Sequence, residues 1–244
     1  MKLTIVYDNE VYHGQEAHHI QEVSFSQRRY HYQEGLKAKW GFSCLLEVND
    51  YKLLFDTGGN GIILLQNMEK MNIDPGQIDS IFISHGHWDH MGGLSDLLSI
   101  NKGIDVFLPE SSRVKGSLLP ESYTDILKSG NIIPVSESQQ IQGNISSTGE
   151  LAGIEQSLVV KTDRGIVVVV GCAHSGVDNI IKAAAEYGDI YALIGGLHGF
   201  NDFNLLENIE LICPTHCTQY KDKIISLYPE NCIDGGVGRV IEFN

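Results

Sequence analysis

The chain has 244 residues, with 17 Lys and Arg against 31 Asp and Glu, and a formal net charge of −14. That balance argues against nucleic acid as a partner, because binding a polyanion draws on basic surface. No apolar run approaches the roughly 18 residues of a membrane-spanning helix, so no membrane association is expected. Five cysteines, at 44, 172, 213, 217 and 232, make no disulfide framework, and a reducing cytoplasm is their simplest setting.

The amino terminus, Met1 to Asp8, reads as a first strand over 3–7. It does not read as a signal peptide, since it carries an early acid and lacks a long apolar core. Residues 8–40 read as a loop carrying Tyr12, Phe25, Tyr30, Tyr32 and Trp40. These aromatics either stack on a flat ring such as a pterin or fill space beneath the loop. Arg28, Arg29, Lys37 and Lys39 form either an ordinary solvated face or a small anion pocket. Strands are expected at 43–48, 52–55 and 80–84, with a helix over 61–71 between the last two. A helix over 92–100, with Leu94, Leu97 and Leu98 as its apolar positions, leads to a strand at 104–108. Residues 109–150, with Pro109, Pro120 and Pro134, read as a loop holding one helical stretch at 121–129. Strands follow at 157–161 and 166–170. Val177, Ile180, Ile181 and Ala184 then repeat at helical spacing over 176–187. A strand at 190–194, a helix at 203–208, a strand at 209–213, a helix at 219–226 and a strand at 239–243 complete the chain. Strands packed between outer helices imply a layered sandwich.

Between the strand at 80–84 and the helix at 92–100 lies Ser84-His85-Gly86-His87-Trp88-Asp89-His90. His85, His87, Asp89 and His90 can each bind a metal. Chance pairing among ten histidines does not account for three of them and an aspartate in six positions. In extended chain, residues i and i+2 point the same way, so His85 and His87 can converge on one ion. As the chain turns into a helix, Asp89 and His90 become adjacent and swing toward a second point. Two neighbouring metal positions are the natural product.

Other elements of the same character are spread along the chain. Leu53-Leu54-Phe55-Asp56-Thr57-Gly58-Gly59 lies upstream. Gly171-Cys172-Ala173-His174 and Cys213-Pro214-Thr215-His216-Cys217 lie downstream, each after an apolar strand-like run. His198 sits in the Gly-rich turn Ile194-Gly195-Gly196-Leu197-His198-Gly199. It is a ligand, a hydrogen-bond donor to substrate, a general acid for a leaving group, or a turn residue with no role.

The His-x-His-x-Asp-His run resembles that of the metallo-β-lactamase superfamily, and the remaining elements occur in that family's order. The segments 171–176, 194–199 and 214–218 narrow the resemblance to the metal-dependent hydrolases related to dihydropterin–ribofuranosylaminobenzene phosphate synthase. The resemblance implies an α+β fold, a four-layer αββα sandwich in one domain spanning 1–244. It implies that Asp56 supports the metal loop from behind, and that His174 and His216 are later ligands. The chain departs from the family where a bridging Asp is expected, since the strand over 166–170 ends in Gly171-Cys172. Cys172 is there either as a thiolate ligand or as a small buried hydrophobe. Glu155 is the nearest candidate for a ligand ahead of the preceding strand.

Three functions follow. The first is a dinuclear metal-dependent hydrolase. His85, His87 and His174 hold one divalent ion and Asp89, His90 and His216 the other, zinc being favoured over iron or manganese. Hydroxide held between the ions attacks a small ester, lactone, amide or phosphate, with Asp89 and His198 as proton carriers. The second keeps the site and makes the protein a transferase on a pterin or phosphoribosyl substrate. The third is a non-enzymatic metal- or redox-responsive protein, suggested by Cys172, Cys213 and Cys217. The expected partner is a small-molecule substrate.

Overall fold

The computed structural model describes residues 1–14, 35–114 and 129–243. Two mixed β-sheets lie face to face with helices on their outer surfaces, as the α+β sandwich expectation requires. The first sheet takes β1 (Lys2–Tyr7), β2 (Ser43–Val48), β3 (Tyr51–Phe55), β4 (Ser80–Phe82), β5 (Asp105–Pro109) and β6 (Asn131–Val135) in sequence, and β13 (Val240–Glu242) pairs outside β1. The second is ordered β12 (Leu211–Thr215), β11 (Ile190–Gly196), β10 (Gly165–Val170), β9 (Leu158–Thr162), β8 (Ile145–Ser147) and β7 (Gln139–Gln142).

Period-two alternation sorts the apolar side chains into layers. In β10, Val167 and Val169 face the first sheet and meet Leu3, Leu46, Phe55 and Phe82 in the inter-sheet core. Ile166, Val168 and Val170 face outward, beneath α5 (Val177–Ala185) and α6 (Lys221–Leu227), which cover them with Val177, Ile180, Ala184, Ile224 and Ile225. The first sheet does the same: Leu45, Leu54, Ile81 and Val106 lie under α1 (Gly61–Lys70) and α3 (Leu94–Ile100). Asn60 starts α1 by accepting a hydrogen bond from the Ile63 amide at 3.0 Å.

Three expectations change. The helix expected over 92–100 starts at Leu94 as α3, and a further short helix not expected from the sequence, α2 (Trp88–Met91), precedes it across Gly92-Gly93. A Cβ on Gly92 would lie 2.6 Å from the Gly59 backbone, so this glycine serves a close approach of two chain segments. The stretch expected to be loop from 109 to 150 contains α4 (Glu110–Val114) and the strands β6, β7 and β8. β7 and β8 are short and alternate weakly in polarity, and Pro134 sits at the unpaired edge of the first sheet, where a missing N–H costs nothing. Residues 203–206, expected to open an α-helix, form a 3₁₀ turn. The helix expected at 121–129 lies, but for Ser129 in a turn, outside the described residues, as do Phe25, Arg28, Arg29, Tyr30 and Tyr32. No helix among the described residues is long and apolar enough to cross a membrane.

β3, β4 and β5 run parallel, as do β10, β11 and β12. The loops bearing Asp56, His85, Cys172, His198 and His216 all leave the carboxyl ends of such strands. That is the edge where open α/β sheets place their sites, because neighbouring loops there can converge.

Candidate metal centre

Asp56 follows β3 at φ 55°, a left-handed conformation rare for a residue with a side chain. Its carboxylate is fully buried and accepts from the Ser84 amide (2.7 Å), the Ser84 hydroxyl (2.7 Å) and His90 Nδ1 (2.6 Å). This fixes the metal loop at both ends. It also turns His90 Nε2 toward the site, 3.2 Å from Cys172 Sγ and 3.8 Å from Asp89 Oδ2. Holding one ring nitrogen to free the other is how proteins orient metal-binding histidines.

His216, at φ 51°, is oriented in the same way. Its amide donates to Asp8 (3.1 Å), and its Nδ1 lies 3.2 Å from Asn9 Oδ1. Its Nε2 then faces Asp89 Oδ2 at 3.4 Å. The Asp89 carboxylate also accepts a hydrogen bond from Trp40 Nε1 at 2.8 Å.

On the other side His85 Nε2 and His87 Nδ1 are 3.0 Å apart, and Ser84 Oγ lies 2.9 Å from His85 Nδ1. The His174 ring packs 4.9 Å from His85 and 4.7 Å from His87, with Ala173 before it at φ 56°. The approach requires Gly171: a Cβ there would sit 2.2 Å from Ser84 Oγ. Glu155 Oε1 accepts from the Ser175 amide and hydroxyl, both at 2.7 Å. The Cys172 and Cys217 sulfurs lie 3.2 Å apart.

The structure thus brings together His85, His87, Asp89, His90, His174 and His216. His198 sits at the rim, exposed, its ring 5.0 Å from that of His174. Gln219 Nε2 lies 3.3 Å from its Nδ1. Trp88 is 62% exposed. Cys172, one of the two roles weighed for it from the sequence being a ligand, lies with His85, His90, His174 and His216, and Cys217 packs behind it. The structure adds Trp40, Ser84, Asp8 and Asn9. Of these, Asp8-Asn9 carried a signal: an acid directly after a strand, the same pattern as Phe55-Asp56. Trp40 carried none, since only the fold brings it to Asp89.

Electrostatics divide the centre. Burial, then the neighbouring His90, His87 and His174, hold His85 well below the usual imidazole range. Burial, then His87 and His198, bring His174 down to about 4. His90 goes the other way: burial pulls it down, but the Asp56 carboxylate outweighs burial and raises it. Burial pushes Asp89 up, yet the His216 ring 3.4 Å away and the charge of His90 leave it well below the usual carboxylate range. The two thiols titrate as a pair. Their mutual hydrogen bond brings Cys217 down to about 6 and raises Cys172.

These residues fit divalent metal. His85, Cys172 and His174 bring one donor atom each within 4.8 Å of one another, and His90, Cys172 and His216 do the same. The Nε2 atoms of His174 and His216 and Oε2 of Glu155 are buried without a hydrogen-bond partner. Orphaned buried polar atoms are costly and call for a partner, and imidazole and carboxylate atoms of this kind are metal donors.

The fold and this donor set are of the metallo-β-lactamase type. Residues 41–106, from just before β2 through the His85–His90 loop into β5, match the family model of the metallo-β-lactamase superfamily. The chain is 29% identical over 241 residues to MJ0448, an uncharacterized protein of Methanocaldococcus jannaschii, covering 84% of this chain and 93% of that one. It is 27% identical over 266 residues to the 7,8-dihydropterin-6-methyl-4-(β-D-ribofuranosyl)-aminobenzene-5′-phosphate synthase of the same organism, covering 84% and 90%. The crystal structure of Tm1679, a metal-dependent hydrolase of the β-lactamase superfamily, superposes with a TM-score of 0.74 at 24% identity, over 100% of this chain and 99% of that one. That likeness establishes the shared fold.

Proposed function

We propose that the protein is a dinuclear metal-dependent hydrolase acting on a small ester, lactone, amide or phosphate. The observation that carries this is the pair of overlapping donor groups, with buried unpartnered nitrogens on His174 and His216. His85, His87 and His174 would hold one ion, and Asp89, His90 and His216 the other, with Cys172 within reach of both groups. Mixed nitrogen, oxygen and sulfur donors suit zinc, and iron or manganese are the alternatives. Such ions supply Lewis acidity and lower the pKa of water toward neutrality.

The chain's own groups do the rest. Asp89 is ionised and held by Trp40, so it can orient the attacking water; a carboxylate held this low is a weak base, which favours orientation over proton removal as its role. Gln219 donating to Nδ1 of His198 leaves the ring proton on Nε2, available to a leaving group. Substrate enters a groove of about 440 Å³ beside His174 and His198, walled by Val177, Phe200 and Leu205.

The synthase relative supports a second reading, a transferase on a pterin or phosphoribosyl substrate. Against it, the described groove lining includes Asp178 and Asp202 and no Lys or Arg, a poor setting for a pyrophosphate leaving group. The proposed surroundings are a small-molecule substrate, no nucleic acid and a reducing compartment. The experiment is metal analysis of protein purified without chelator, followed by a screen of chromogenic esters, lactones and phosphoesters. About two equivalents of metal are expected, with hydrolysis lost to chelator and restored by zinc. Protein that takes up no metal, or hydrolyses as well after stripping, sinks the reading.

A further inference from the structure

One buried contact in the centre joins two thiols. Cys172 leaves the end of β10 and Cys217 the end of β12, with β11 between them. They meet across Gly196, where a Cβ would stand 2.7 Å from Cys217 Sγ. Their sulfurs are 3.2 Å apart, both residues are buried, and no disulfide joins them. A disulfide has sulfurs about 2.05 Å apart, so closing the bond needs a movement of about 1 Å. Of the two thiols, Cys172 is the one within reach of both metal-donor groups.

We propose that Cys172 and Cys217 are an oxidation site, in which a hydroperoxide converts the dithiol to a disulfide and the disulfide form releases the metal pair. The inference rests on the metal-centre reading above. One thiolate attacks the peroxide oxygen, breaking the O–O bond and forming a sulfenic acid with loss of water or alcohol. The second thiol displaces water from that sulfenic acid and the S–S bond forms. Two protons and two electrons leave the pair, and the peroxide is reduced by the same two electrons. The sulfur of Cys172, now bonded to Cys217, is no longer a thiolate that can serve either donor group. Metal bound to Cys172 would draw electron density from its sulfur and screen it from peroxide, so loading and oxidation oppose each other.

The test uses the full chain, reduced and stripped with chelator. It is exposed to hydrogen peroxide, alkylated and mapped by mass spectrometry, with zinc uptake measured in parallel. Expected are loss of two thiols, a peptide linked through Cys172 and Cys217, and zinc affinity weakened by at least about tenfold, all reversed by dithiothreitol. Zinc added first should slow the oxidation. Cys217→Ser and Cys217→Ala should take up zinc as reduced wild type does, form no linked peptide, and lose less zinc affinity to the same brief exposure. Unlinked Cys172 sulfinic acid as the main product, a linked peptide with unchanged zinc uptake, or Cys217 variants as sensitive as wild type would each overturn the inference. Zinc uptake by reduced wild type, before any oxidant, tests the metal reading separately. Its failure removes the hydrolase and the gating together, whereas intact uptake without a linked peptide removes the oxidation site alone.

Discussion

The two halves of the centre are built by opposite means. The half formed by His85, His87 and His174 is assembled from imidazoles that burial and mutual repulsion keep neutral. The half formed by Asp89, His90 and His216 is set among carboxylates: Asp56 lies 2.6 Å from His90, and Asp89 lies 3.4 Å from His216. A neutral imidazole is ready to bind metal without losing a proton. His90, raised by the Asp56 carboxylate, tends to hold its proton until a cation displaces it. The first half is therefore a site ready before metal arrives, and the second a site that metal binding must discharge.

Removing one proposed ligand from each half is the harshest way to break this comparison. His87→Ala and Asp89→Ala should each lower bound metal and cost more than about a hundredfold in hydrolysis, beyond the roughly 10–100-fold typical of outer-sphere changes. Equal metal content and activity in either variant would remove that residue from the centre. Asp56→Asn comes next. It keeps the shape but weakens the hold on His90 Nδ1, so metal affinity should fall about 10–100-fold. Two-step metal titration should show the loss chiefly at the half containing His90. An equal loss at both steps would mean that Asp56 acts through Ser84 on His85 as much as on His90. Trp40→Phe is milder. It removes the indole donor to Asp89, and Trp40 is 51% exposed, so water can replace the bond. About 1 kcal/mol, or roughly fivefold in affinity at the second half, is expected. An unchanged titration would make Trp40 a bystander.

How much of this is legible in the sequence follows the same division. The loop from His85 to His90 is contiguous, and period-two geometry followed by a helical turn suffices to foresee two converging pairs. The layers are legible too, because the alternation along β10 does not depend on distant contacts: Ile166, Val168 and Val170 face one way and Val167 and Val169 the other. What cannot be read is what tertiary contact alone creates. Cys172 meets Cys217 only because Gly196 leaves the intervening strand bare. Trp40 reaches Asp89 across 49 residues of sequence. Asp56, Ala173, His198 and His216 all take φ between 43° and 56°, a conformation that no local sequence pattern demands of an alanine or a histidine. The short strands β7 and β8 read as loop because Gln139-Gln140-Ile141-Gln142 offers a single apolar side chain to mark a face.

The effect that separates the halves most directly is read in metal-free protein. His174 has a folded pKa of about 4 against an ordinary imidazole value of 6.5. A depressed value means that the folded state favours the neutral ring. The stability from this preference is present above about pH 6.5 and is lost as pH falls toward about 4. His90 has a folded pKa raised above 6.5 by Asp56. Its contribution is complete below about pH 6.5 and is lost as pH rises through the raised value. Chelator-treated protein should therefore lose melting temperature on both sides of a maximum near neutrality, the acid limb steeper because His85 shares the direction of His174. His174→Gln should flatten the acid limb and leave the alkaline one, and His90→Gln should do the reverse. If both variants flatten the same limb, the two halves are electrostatically alike, and the readiness of one half before metal arrives has no basis.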